Sequence, residues 1–211
     1  VLNINHNYDS EKKEVIISIN QEQDLSQNPV YRIPLSVDIY HNGKTERKMI
    51  VLDKKSQRFT FSLESAPDLV NIDAEKYILA EKIENKSLRE YVFQYQNAPL
   101  FIDRLEPVMK LLEMKDQSTA KSIVILALKD SSWFIRYSAL SVLEFLKDDE
   151  RLTILKQIKE MALNDNVSQV RAAAVEALSK YYKMTDTRDV FKQTMSDKSP
   201  QVIRATTNAL K

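Results

Sequence analysis

Asp165-Asn166-Val167-Ser168-Gln169-Val170-Arg171 opens the passage on which the architecture turns, because its spacing recurs along the chain. Earlier, Asp130-Ser131-Ser132-Trp133-Phe134-Ile135-Arg136 sets the same acidic residue six places before the same arginine. Each stretch runs into an Ala/Leu-rich stripe, ending at Leu178 and Leu143 respectively. A third copy begins at Asp197 and runs through Pro200 and Val202 to Ala209-Leu210. The starts at 130, 165 and 197 are 35 and 32 residues apart. A fixed period of this length is the signature of stacked supersecondary units. The last copy departs from the pattern, with Ile203 at the arginine position and Arg204 one place late.

The residues between these landmarks have helical spacing. Val170, Ala173, Ala174, Ala177 and Leu178 make one face of small and medium side chains. Ile154, Leu155, Ile158 and Met161 supply a facing stripe, and neither stripe can be buried without a neighbour. Ser199 and Pro200 predict the N-cap and first residue of the last helix. The pattern resembles the HEAT repeat at its short end, with an Asp in the turn and an Arg early in the second helix. That resemblance makes Asp130, Arg136, Asp165, Arg171, Asp197 and Pro200 the structural repeat positions. As turn residues before helices, Asp130 and Asp165 are expected to cap backbone N–H groups. Arg136 and Arg171 are expected to link units rather than clamp a substrate. Trp133 is expected to pack on the preceding unit, and Tyr181 and Tyr182 to divide between core and surface.

Upstream, the period changes to two. Val15, Ile17 and Ile19 alternate with Ile16, Ser18 and Asn20. Tyr31, Ile33, Leu35, Val37 and Ile39 share a second face, and Phe59, Phe61 and Leu63 a third. Alternation of this kind predicts strands with one buried and one wet face. Asn42-Gly43, which holds the chain's only glycine, predicts a type I′ hairpin, where both central residues need positive φ. Pro34 lacks an N–H and predicts an edge strand or a bulge. Gln21 and Gln23, at a strand end, are expected to satisfy loop backbone groups. Ser87 and Glu90 make a capping box that starts the first helix, and Pro99 breaks that helix before Phe101, Ile102 and Leu105. The expected fold is multidomain, β then α: a small antiparallel, Ig-like β-sandwich over 1–83, followed by a HEAT-like α-α superhelix (solenoid) over 84–211.

Composition narrows the function classes. Of 211 residues, 43% are hydrophobic and 29% charged, with 31 basic against 30 acidic side chains. Signs are interspersed and the net charge is +1, without the basic excess that phosphate binding requires, so no nucleic-acid partner is expected. The longest apolar run, Ile123–Leu128, spans six residues, against about twenty for a membrane-spanning helix. Cysteine is absent, which excludes disulfides and thiolate metal sites and leaves cytoplasm and periplasm equally open. Only His6 and His41 could supply imidazole, and no H-E-x-x-H helix is present, so no catalytic, metal or cofactor-binding residue is assigned. Val1 opens within a strand-like stretch and Leu210-Lys211 closes within a helical one, which predicts a cut at both ends.

The order of several stretches resembles aminopeptidase N-type zinc metallopeptidases, especially bacterial ones. These are Leu2–Tyr8 with Val15–Gln23, then Tyr31–Val37, then Val70–Leu79, and finally Phe93–Ala98 with Asp103–Glu106. In that family the small sandwich bridges the catalytic domain to a helical bowl that closes over the active site. The resemblance implies a non-catalytic C-terminal portion of a zinc-dependent aminopeptidase, which removes N-terminal amino acids from peptides. Its zinc, general base and substrate-amine-binding residues would all lie upstream of Val1. The implied partners are that catalytic domain and, on the concave helical face, a peptide substrate or another protein. The alternative is a protein–protein interaction scaffold of the same architecture without catalysis.

Overall fold

A computed structural model describes residues 1–111 and 120–211. Among the described residues, seven strands precede eight α-helices. The strands are β1 (Leu2–Asp9), β2 (Glu14–Gln21), β3 (Ile33–His41), β4 (Lys44–Leu52), β5 (Ser56–Ser62), β6 (Leu69–Ile72) and β7 (Lys82–Glu84). The helices are α1 (Leu88–Asn97), α2 (Phe101–Leu111), α3 (Ala120–Ala127), α4 (Trp133–Ser141), α5 (Asp148–Asn164), α6 (Ser168–Tyr181), α7 (Met184–Thr194) and α8 (Pro200–Ala209). The chain forms two compact units, Val1–Leu100 and Phe101–Lys211, so α1 belongs with the strands.

The first unit holds a four-stranded sheet, β5-β2-β1-β7, and a three-stranded sheet, β4-β3-β6. Val15, Ile17 and Ile19 from one sheet and Leu35, Val37 and Ile39 from the other enter a single hydrophobic cluster. The period-two alternation thus places the apolar sets inward. Asn42 and Gly43 carry φ of +48° and +70° and close the β3–β4 hairpin with His41 opposite Lys44, as a type I′ turn requires.

The β-sandwich-plus-solenoid expectation is corrected on both counts. β1 pairs with β2 antiparallel but with β7 in parallel, Leu2 opposite Lys82, so the larger sheet is mixed rather than antiparallel. The chain forms two small, open sheets. The helical unit does not establish a regular α-α superhelix either. Its helices run from 8 to 17 residues, the Asp starts are unequally spaced, and in α8 the arginine stands one place late, with Ile203 at its repeat position. What the chain forms is β followed by α.

Two further differences have local causes. β3 is buried on both faces: Ser36, Asp38 and Tyr40 are covered as well as Leu35, Val37 and Ile39. On the outer face the Phe93 ring of α1 meets Tyr40 edge-on at 5.7 Å, and Arg47 grips Asp38 through two bonds of 2.7 and 2.8 Å. β3 is also the central strand of its sheet, but β6 pairs only from Val37 to Tyr40. Pro34 therefore lies beyond β6, and its missing N–H costs no ladder bond on that side.

Candidate functional site

The arginine and aspartate repeat positions form an Arg–Asp ladder in the helical unit. Arg136 of α4 donates Nε–H to Asp165 Oδ2 at 2.7 Å and Nη2–H to Oδ1 at 2.8 Å. Arg171 of α6 makes the same fork onto Asp197, at 2.8 and 2.9 Å. The third nitrogen of each guanidinium turns back: Arg136 Nη1 reaches the Asp130 carbonyl at 2.9 Å, and Arg171 Nη1 the Asp165 carbonyl at 2.8 Å. Each arginine therefore ties the turn before its own helix to the turn one period later. Such planar two-point pairs carry geometric specificity as well as charge.

The aspartates are doubly used. Asp130, Asp165 and Asp197 accept the backbone N–H of Ser132, Val167 and Ser199, two residues on, at 2.8, 2.9 and 2.7 Å. Those three residues are the N-caps of α4, α6 and α8, and none of their own side chains caps. The carboxylates thus fix the turn just ahead of each helix, with Pro200 as first residue of α8. Arg171 beside Asp197 holds that carboxyl below its ordinary range, outweighing the opposing push of burial. Arg136 and Arg171 are in turn driven further toward the charged form by their aspartates. With donors and acceptors spent on one another, the ladder is a mechanical element and presents no free acid, base or nucleophile.

Sequence reasoning missed the first rung. Arg104 of α2 donates to Asp130 at 2.8 and 3.4 Å. The signal was present, since arginines at 104, 136 and 171 are separated by 32 and 35 residues, but the residues ahead of Arg104 do not repeat the heptapeptide. Ile203, at the arginine position of α8, has no polar group to offer, and Arg204 is exposed.

Trp133 is not buried on the preceding unit: it remains 42% exposed. Phe134 makes that contact instead, tilted against Phe101 of α2 at 6.4 Å, and Trp133 meets Phe134 edge-on at 5.7 Å. Tyr181 and Tyr182 do not divide between core and surface, both being half-buried. The Tyr182 hydroxyl donates to the Arg151 carbonyl at 2.8 Å, and burial pushes it up to about 12.

The histidines belong to the first unit, each paired with one glutamate. His6 Nε2 lies 2.6 Å from Glu90 Oε1, and His41 Nε2 lies 2.9 Å from Glu46 Oε1. Glu90 is also the capping-box partner of Ser87. Burial pushes the Glu90 carboxyl up, but His6 and the Ser87 backbone outweigh it and hold it below its ordinary value. Among the described residues no group of three or more His, Cys, Asp or Glu side chains is placed to hold a metal ion. Gln21 is fully buried and satisfies Tyr31 through both its oxygen and its nitrogen, and Lys54 through its nitrogen. No described helix is long and apolar enough to cross a membrane.

No protein-family model matches the chain, and no curated protein matches it in sequence. Among solved structures it is similar to Legionella pneumophila aminopeptidase A, in a complex with aspartic acid, at 10% identity and a TM-score of 0.49. That match covers 99% of this chain and 35% of the Legionella chain, and no residue role is transferred from it.

Proposed function

We propose that the chain is the non-catalytic C-terminal portion of a zinc-dependent aminopeptidase, bridging to and capping a catalytic domain encoded upstream. The observation that carries this reading is the order of family-like stretches, which fall in sequence on β1–β2, the start of β3, β6 with the segment after it, and α1–α2. No H-E-x-x-H occurs in the 211 residues, so the zinc ligands and general base of that chemistry would have to come from elsewhere in the parent protein. Zinc there would polarise the scissile carbonyl and activate water. In this reading the residues of this chain hold geometry: the Arg–Asp ladder fixes the helical turns.

The test is the reading frame upstream of Val1. An intact H-E-x-x-H with a downstream glutamate is the expected finding. A frame without that domain would remove the aminopeptidase reading. In parallel, the purified chain is expected to release no product from aminoacyl amides, with or without added zinc, and zinc-dependent turnover would refute the non-catalytic assignment.

The alternative, an interaction scaffold of the same architecture, is favoured by one feature. Phe101, Trp133, Phe134 and Tyr137 leave aromatic surface exposed at the starts of α2 and α4, the kind of side chains that anchor protein interfaces. An upstream domain with its zinc ligands lost would favour it.

A further inference from the structure

The tip of the β3–β4 hairpin joins a reactive pair of residues to a backbone that depends on them. Asn42 is the one asparagine of the chain followed by glycine; every other is followed by a residue that carries a Cβ. An asparagine side-chain amide is open to attack by the backbone nitrogen of the next residue, and a Cβ on that residue crowds the approach. Gly43 offers none, and the space where a Cβ would sit is empty to 4 Å. Asn42, Gly43 and Lys44 are all exposed. Among the described residues neither the Asn42 side chain nor the Gly43 N–H makes a hydrogen bond.

The turn itself slows the reaction. In a type I′ turn the Gly43 nitrogen lies away from the Asn42 side chain, so attack needs rotation about the Asn42 Cα–C bond. That rotation is lightly opposed here. β4 is an outer strand, and β6 stops at Tyr40, so the end of β3 is paired with β4 alone through His41 and Lys44. The brace across this end is His41 Nε2 against Glu46 Oε1, at 2.9 Å. A strand end with so few partners opens locally without unfolding the sheet.

We propose that Asn42 is a site of spontaneous deamidation in the folded chain. The Gly43 nitrogen, its proton lost to solvent base, bonds to Asn42 Cγ. The Cγ–Nδ2 bond breaks and Nδ2 leaves as ammonia, which closes a succinimide ring. Water then opens the ring at either carbonyl. One opening leaves aspartate at 42, the other an isoaspartate whose main chain runs through Cγ. Both products add a carboxylate beside Lys44. Aspartate tolerates the positive φ of +48° found at this position, whereas the extra main-chain methylene of isoaspartate cannot keep a two-residue turn in register with His41 opposite Lys44. This inference stands on the first unit alone and does not depend on the aminopeptidase reading.

The test is incubation of the full chain at mildly alkaline pH and body temperature, followed by peptide mapping in a mass spectrometer. A second readout is methyl transfer by an L-isoaspartyl-specific methyltransferase. A gain of one mass unit confined to the peptide that holds Asn42, with methyl acceptance, is expected. Gly43→Ala should slow both by about tenfold or more, although it strains the turn, with circular dichroism confirming its fold. The converted chain should melt at a lower temperature than the fresh one, and Asn42→Asp should melt with the fresh chain. The proposal is overturned if Asn42 stays intact in the folded chain while the same chain in urea converts, since the turn is then a shield. It is also overturned if another asparagine converts as fast, or if Gly43→Ala converts at the parent rate.

Discussion

Arg136 draws several parts of the helical unit together. It reaches both oxygens of Asp165, the carbonyls of Asp130 and Ser131, and the Asn166 amide oxygen. Its side chain is 12% exposed and that of Asp165 is 6% exposed. Removing one partner strands the other in a poorly solvated site, at a cost of about 3 kcal/mol. Arg136→Ala is therefore expected to lower unfolding stability by about that amount in urea titration, and Arg136→Lys to recover only part, because an ammonium cannot make the fork. Asp197 contributes to the pH dependence. Its folded carboxyl lies below the ordinary range, so its contribution is complete above about pH 4 and is lost as pH falls through the lowered value. The stability gap between the native chain and Asp197→Asn should accordingly be widest near pH 7 and shrink on acidification, as read by denaturant melts at each pH. These roles were partly legible beforehand: the Asp-to-Arg spacing marked the second and third rungs. Arg104 was not legible, because a rung needs only a guanidinium in reach, and nothing in the neighbouring sequence has to repeat.

The β3–β4 hairpin and the start of α4 show what sequence can and cannot specify about an element. Asn42-Gly43 determined its turn because only residues that tolerate positive φ fit there. A Cβ placed on Gly43 would meet nothing within 4 Å, so Gly43→Ala tests backbone conformation alone. It is expected to cost about 1 kcal/mol with no change in the rest of the fold, as measured by chemical denaturation and circular dichroism. Trp133 is the opposite case. Its helical position was clear, but Phe101, 33 residues before Phe134, takes up the Phe134 ring rather than that of Trp133. Trp133→Ala is expected to cost less than about 1.5 kcal/mol, whereas Phe191→Ala, at a wholly buried ring in α7, should cost about 3 to 5 kcal/mol. Comparable losses at the two positions in parallel thermal melts would contradict the placement. Likewise the double burial of β3 was hidden in its alternation, because the cover over Ser36 and Asp38 comes from elsewhere in the unit.

Across the whole molecule, 31 basic and 30 acidic groups leave almost no net charge, and the isoelectric point is near 7.9. Colloidal repulsion is then weakest at mildly alkaline pH. Solubility is expected to pass through a minimum near that pH at low salt, and light scattering across a pH series would show it. The mixed sheet of the first unit has a different kind of consequence, one of timing. Of the seven strands β1 leaves the ribosome before the others, and β2 can zip onto it at once. Its other edge must wait until Lys82–Glu84 has been made, because β7 closes on Leu2–Ile4 in parallel. For the interval in which some eighty residues are synthesised, that edge stays open to any passing strand. Nascent chains halted before residue 82 should therefore be the most prone to aggregate or to need a chaperone, and release from that hazard should come as soon as β7 emerges.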